Sequence, residues 1–265
     1  MGWIQIIVLA VVQGITEFLP ISSSGHLVLV PVLFDWPDQG LTFDIAVHFG
    51  SLIAVGIYFR EDLLRLMGGG ISALQGDMSS DYSRLAVGIA IATVPAAVAG
   101  LLLADWIEVN LRSLNVVICT LAGYGILMAL ADRFGKQIRE FSSVGIRDAF
   151  LIGCAQALAL VPGTSRSGIT ITAAMAMGLK RTDAARFSFL LSVPIILMAT
   201  MYKGLLIVTG DEVINWAALA TATVVSAIVA YISIEFFMRV VRSIGLLPFA
   251  IYRLILAAVL VYVFV

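Results

Sequence analysis

Charged side chains are scarce in this sequence: aspartate, glutamate, lysine and arginine make up 12% of its 265 residues, against 61% hydrophobic. So little polar surface cannot cover a core of that size in water, so lipid must be the solvent for most of the chain. The near balance of 16 basic and 17 acidic residues gives no electrostatic footprint for nucleic acid. Cysteine is almost absent. Cys119 and Cys154 each sit in an apolar stretch, so no disulfide framework or metal-ligand cluster is expected, and both read as packing residues. The first segment, MGWIQIIVLAVVQG, lacks a basic start and a small-residue cleavage site, so it is expected to stay in the protein rather than act as a signal peptide.

What is abundant is apolar length. Six stretches, roughly 44–59, 85–104, 114–131, 187–208, 217–237 and 247–265, are long enough to cross about 30 Å of hydrocarbon. Two further regions, 3–34 and 147–178, are equally apolar but are interrupted midway by EFLPISSSGH and PGTSRSG. In hydrocarbon an unpaired backbone group costs several kcal/mol, so irregular backbone survives at depth only when buried in protein or lining a wet cavity. Each interrupted region is therefore expected to be a re-entrant helical hairpin, with surface loops flanked by short interfacial helices as the alternative. The fold class is thus all-α: one polytopic membrane domain over 1–265, with six spans and two hairpins.

The halves resemble each other. FLPISSSG around Pro20 parallels LVPGTSRSG around Pro162, and Val94-Pro95 parallels Val193-Pro194 within following spans. A hairpin plus three spans is an odd number of crossings, so repeats of roughly 1–131 and 147–265 would be inverted relative to one another. Threaded this way, one side receives twelve lysines and arginines; the other holds Arg112 beside Asp35, Asp38, Asp105, Glu108, Asp211 and Glu212. The positive-inside rule then puts both termini, and the opening of the site, on the outer side of the membrane.

Ionisable groups in embedded segments are costly and mark candidate functional positions. Glu17 lies four residues from Gln13, so the two share one helix face; carboxylate and amide oxygens suit a hard divalent cation, Mg²⁺ or alternatively Ca²⁺, whose remaining ligands would be water and phosphate. The other reading of the pair is polar capping at a helix end. After Pro20, the run Ser22, Ser23, Ser24, Gly25 leads into an apolar helix, the pattern of an N-cap and equally of an anion site made of backbone N–H groups and hydroxyls. His26 follows directly and supplies either a base for a serine nucleophile or the phosphate acceptor itself; spacing does not separate these. In PGTSRSG, Arg166 carries a planar fork matched to phosphate oxygens, flanked by Ser165 and Ser167. Arg253, six residues into the last span, is read as a second phosphate contact or a carboxylate partner. Asp44 and His48 read as interfacial, Lys203 and Glu235 as snorkelling or paired, and Met175, Met177, Met198 and Met201 as packing. Gly123-Tyr124-Gly125 permits close helix packing within or between chains, which leaves a homodimer open.

Four segments, Gln13 to Pro20, Ser22 to His26, Pro162 to Gly168 and Pro248 to Arg253, together resemble the bacterial undecaprenyl pyrophosphate phosphatases, the bacitracin-resistance family, and the resemblance covers nearly the whole chain. It implies hydrolysis of undecaprenyl diphosphate to the monophosphate carrier lipid and inorganic phosphate, with a divalent cation, in the bacterial inner membrane and in support of peptidoglycan synthesis. It further implies that Glu17 binds metal or positions a group, that Ser23 or His26 is nucleophile or base, and that Arg166 binds phosphate. Ser22, Ser24, Gly25, Ser165, Ser167 and Arg253 are the expected substrate contacts. The family takes Glu or Gln at the first motif position, and Gln13 here weakens metal binding; Ser24 stands where Thr is common and keeps the hydroxyl. A secondary transporter or lipid flippase using Glu17 and His26 as a proton relay is the competing class, and phosphate release separates the two.

Overall fold

The computed structural model describes residues 1–111, 113–208 and 215–264, without the side chains of 104, 105, 108, 203 and 206–208. Arg112, Asp211 and Glu212, and the side chains of Asp105, Glu108 and Lys203, therefore lie outside the described residues. Among the described residues eleven α-helices follow one another: α1 Trp3–Thr16, α2 Ser23–Leu33, α3 Gly40–Tyr58, α4 Arg60–Leu74, α5 Asp81–Leu111, α6 Leu114–Phe134, α7 Ile146–Ala157, α8 Arg166–Ala176, α9 Arg181–Val208, α10 Trp216–Ser243 and α11 Leu247–Phe264. There is no strand among the described residues, only an isolated bridge between Arg139 and Leu179. Six helices have the length and composition to cross a membrane: α3, α5, α6, α9, α10 and α11. They match the six apolar stretches in order, so the protein is a multi-pass membrane protein.

The remaining apolar helices are short because the chain breaks where the sequence places proline and serine. Pro20 follows α1 by four residues and has no N–H to continue the ladder. In the second half, a short 3-10 turn over Leu158–Leu160 leads into Pro162 and Gly163 before α8 begins. Across the breaks α2 packs on α1 and α8 on α7.

Lipid supplies no hydrophobic drive between helices, so association rests on close packing of small residues and on polar contacts. Gly50 brings α3 so near α10 that an added Cβ would lie 2.3 Å from the Thr223 carbonyl oxygen. Thr223 and Ser226 hydroxyls donate to the Ala46 and Val47 carbonyls across that seam, at 3.1 and 2.7 Å. Gly153 does the same for α7 on α5, with a Cβ falling 2.3 Å from the Ala92 carbonyl oxygen. Gly125 lets α6 approach Arg253 and Ala250 of α11, whereas Gly123 meets nothing within 4 Å. Since the atoms opposite Gly50 are backbone and cannot turn aside, Gly50→Ala is expected to cost about 1–3 kcal/mol. The midpoint of thermal unfolding in detergent should fall accordingly; an unchanged midpoint would show that the seam tolerates a methyl group.

α4 is a helix lying outside the six apolar stretches and the two interrupted regions. Gly68, Gly69 and Gly70 lower its intrinsic propensity, but a Cβ on Gly69 would lie 2.5 Å from the Tyr82 backbone, so packing on α5 requires glycine there. Asp62 of α4 is held by Arg186 of α9, and Arg181 pairs with Asp132 at 2.6 Å. These pairs gather at one end of the bundle. At its centre stands a chain of aromatic edges: Phe18 on Phe189, Phe189 on Phe237, and Phe237 on Phe249, with centroids 5.2 to 5.5 Å apart. This rigid cluster backs the two helix breaks. Cys119 and Cys154 are unpaired, and Cys119 is exposed rather than packed. Glu235 is paired, accepting from Tyr58 and Arg239. Met175 is buried, while Met198 and Met201 face outward.

Candidate functional site

α2 and α8 start with the same local structure. Ser22 and Ser165 each occupy the left-handed region, at φ 77° and 70°, and their hydroxyls accept from the N–H groups of Gly25 and Gly168 at 3.4 and 3.2 Å. Such a backbone costs on the order of 1–3 kcal/mol per residue and persists only where surrounding contacts over-determine it. Here the contacts run between the two breaks. Ser167 Oγ donates to the Leu19 carbonyl at 3.2 Å. Thr120 of α6 donates to the Pro162 carbonyl at 2.7 Å, next to Gly163, whose φ of 85° and closeness to Thr120 leave no room for a side chain.

The breaks converge on Glu17. Its Oε1 accepts from Arg166 Nη2 at 3.0 Å; its Oε2 accepts from Ser23 Oγ and from Gln13 Nε2, each at 3.0 Å. His48 Nε2 is 3.7 Å from the same oxygen. Arg166 also donates to the Ser188 carbonyl at 3.1 Å, and its guanidinium lies 5.8 Å from the centre of the Phe18 ring. A buried carboxylate without partners would be prohibitively costly; three donors, one of them the Arg166 guanidinium, make this one sustainable.

A cavity of about 290 Å³ opens over this cluster, lined by Glu17, Ser23, Ser24, Asp44, His48, Ser165 and Arg166 together with apolar residues of α9. A second, mostly apolar groove of about 450 Å³ shares Ser24, Asp44 and His48 with it and continues past Leu27, Val28 and Val32 of α2 to Leu260 and Phe264 of α11. Because α2 and α8 both begin at the cavity wall, both helix dipoles point their positive ends into it.

The structure thus brings together six of the site residues singled out from sequence, Gln13, Glu17, Ser23, Ser24, Ser165 and Arg166, and it directs the others elsewhere. Ser22 is fully buried as a cap, and Ser167 is fully buried between the breaks. Gly25 lines the apolar groove. His26, expected as nucleophile or base, is turned away from the cavity: Nδ1 is 2.7 Å from the Ser22 carbonyl and Nε2 is 2.6 Å from Tyr252 Oη. Arg253, expected as a phosphate contact, is 1% exposed. Its guanidinium donates to the carbonyls of Leu121, Pro20, Thr164, Thr120 and Gly163 at 3.0 to 3.4 Å. It neutralises the carbonyl ends freed by both breaks and has no face toward a ligand. Conversely, Asp44 and His48, expected at the interface, are cavity wall. The available signal was their spacing of four residues, which sets two polar groups on one helix face.

A divalent cation fits the donor set. Gln13 Oε1 is buried without a hydrogen-bond partner among the described residues, beside a carboxylate and serine hydroxyls, all hard oxygen donors. No group of three or more His, Cys, Asp or Glu suited to a metal occurs among the described residues, so phosphate oxygens and water would have to complete the shell.

Comparison with known proteins finds one family over nearly the whole chain. A family described as "Bacitracin resistance protein BacA" matches residues 6–259. A protein of Hahella chejuensis named undecaprenyl-diphosphatase is 50% identical over 266 residues, covering 100% of each chain. Proteins of the same name from Alcanivorax borkumensis, 50% identical and covering 99% of each chain, and Teredinibacter turnerae, 48% identical and covering 98% of each, are similar to the same extent.

Proposed function

The chain belongs to the BacA bacitracin resistance family, and we propose from that and from the cavity that it is an undecaprenyl-diphosphatase of the bacterial inner membrane, releasing inorganic phosphate and leaving undecaprenyl phosphate for reuse in peptidoglycan synthesis. The observation that carries the reading is one carboxylate, Glu17, held at 3.0 Å by both a serine hydroxyl and a guanidinium contributed from opposite halves of the sequence. Phosphoryl transfer needs positioning and charge stabilisation more than covalent help, and this cluster offers both.

In the proposed mechanism Ser23 Oγ attacks the terminal phosphorus while its proton passes to Glu17 Oε2. The bond from phosphorus to the bridging oxygen breaks, and undecaprenyl phosphate leaves with the proton from Glu17. Water then attacks the phosphoserine, restoring the Ser23 hydroxyl and freeing inorganic phosphate. Arg166, together with the N–H groups at the starts of α2 and α8, holds the transferred phosphoryl oxygens. Glu17 and the Gln13 carbonyl oxygen would hold a Mg²⁺ ion, which when bound supplies charge neutralisation of the diphosphate. The apolar groove beginning at Ser24 suits the first isoprene units, and its edge on α2 and α11 lets the rest of the chain stay in lipid.

Each interrupted region is proposed to enter and leave on one side of the membrane, and the halves to be inverted repeats. The pairing of elements supports this: α1 packs on α10 as α7 does on α5, the third spans α6 and α11 pair, and so do the first spans α3 and α9. The cavity is walled by the beginning of α3 and the end of α9, away from the end bearing Arg181 and Arg186, so it opens on the outer side under the positive-inside rule. Purified protein given a polyprenyl diphosphate and Mg²⁺ in detergent is expected to release phosphate, to stop on addition of a chelator and to resume when Mg²⁺ is restored. A carrier would release none, and activity that ignores the chelator would remove the metal from the scheme.

A further inference from the structure

His26 has no route to the cavity, yet it is tied at both ring nitrogens. The Ser22 carbonyl can only accept, so Nδ1 must carry the proton of that 2.7 Å contact. In the neutral ring Nε2 is then an acceptor, and Tyr252 Oη at 2.6 Å is its donor. Tyr252 also stacks on the imidazole, with ring centroids 5.8 Å apart and 14° between planes. The chain of contacts is Tyr252, His26, the Ser22 carbonyl, and then the left-handed Ser22 whose successor is Ser23. In the other half, the residue four beyond Ser165 is Ile169; there the carbonyls of Gly163 and Thr164 are held instead by Arg253. Consecutive residues of α11 therefore differ in reach: Arg253 contacts carbonyls of both breaks, and Tyr252 adds, through His26, a brace that only the first break has.

We propose that Tyr252 is a positioning residue for phosphoryl transfer, acting through His26 on the Ser22 carbonyl so that the Ser23 hydroxyl stays aimed at Glu17. The inference rests on the reading of Ser23 and Glu17 given above. Tyr252 stands outside the cavity, so its effect falls on the orientation of a reacting group and not on substrate affinity. Holding a nucleophile in line contributes to turnover and leaves ground-state binding alone.

Tyr252→Phe keeps the stacked ring and removes only the hydroxyl. It is expected to lower kcat for polyprenyl diphosphate hydrolysis about tenfold, the effect of misaligning one group by a fraction of an ångström, with KM changed less than about twofold. His26→Asn retains an N–H where Nδ1 stood and has no ring that can exchange a proton, so it is expected to keep at least about ten times the kcat of His26→Ala. Wild-type kcat in Tyr252→Phe overturns the proposal, as does a rise in KM that accounts for the whole loss. His26→Asn as inactive as His26→Ala also overturns it, and returns His26 to a proton-transfer role. None of these results bears on the proposed activity itself, which fails if the wild-type protein releases no phosphate, nor on the proposed site, which fails if Glu17→Ala or Arg166→Ala still releases phosphate at the wild-type rate.

Discussion

Arg166→Ala is expected to reduce phosphate release by about a thousandfold or more while the protein remains monodisperse in detergent. Among the described residues Arg166 is the only guanidinium lining the cavity, and it sits where charge on the transferred phosphoryl group would build. Its bonds to Glu17 and Ser188 fix the plane of the fork, leaving further N–H groups for a ligand. Loss of a single preorganised donor in a transition-state site commonly costs about 10²- to 10³-fold in kcat, and a fork offering two donors at full charge sits at or beyond the upper end. Arg166→Lys separates charge from geometry. A lysine ammonium restores the charge and can neutralise Glu17, but it lacks the planar fork, so recovery should stay below about a tenth of wild-type kcat. Recovery to wild-type rates in the lysine variant would mean that the arginine serves only as a counter-ion to Glu17, and the phosphate-binding role would be lost with it.

The architecture was legible because its determinants are local. Apolar length sets the six spans, and Pro20, Pro162 and the serine runs mark where helices must break; neither inference needs to know what packs on what. α4 was hidden because its glycines argue against helix in isolation, and only the approach of Tyr82 reveals why they are there. For the site, sequence identified which groups are too costly to bury idly but not the direction in which they point. Glu17, Ser23 and Arg166 meet because each lies at a helix end aimed into the gap between the breaks. His26 is only three residues past Ser23, a spacing that by itself sets the two near one face of α2, yet its ring is held toward Tyr252. Arg253, as an ionisable group within a span, was read as a second phosphate contact or a carboxylate partner. Three of its five carbonyl partners lie at the two helix breaks and two belong to α6, and no pattern in one dimension announces that those oxygens will gather around α11. His48 was the converse error, a residue near a helix start that a fold of this kind turns inward.

Glu17→Gln should be as damaging as the loss of the arginine, for a different reason. The amide keeps the size of the side chain and an oxygen able to accept from Ser23, so the hairpin should remain in place. What disappears is the negative charge that takes the Ser23 proton, pairs with Arg166 and forms half of the protein's contribution to a cation site. Proton transfer in the transition state contributes about 10²- to 10⁴-fold, and the charge on a bound metal adds to that, so a fall of about 10³-fold in kcat is expected. Glu17→Ala differs in stability as well: it strands the Arg166 guanidinium, largely buried, and breaking such a pair costs about 3–5 kcal/mol, so this variant should also melt earlier. Because Glu17 and Arg166 act on one another, the double variant Glu17→Gln with Arg166→Ala should be little slower than either single one. Losses that multiplied in the double variant would place the two residues in independent roles and undo the picture of a single shared site. The same assay run across a Mg²⁺ titration separates the two functions of the carboxylate, since loss of the metal contact shifts the activating concentration upward whereas loss of the proton acceptor lowers the plateau reached at saturating Mg²⁺.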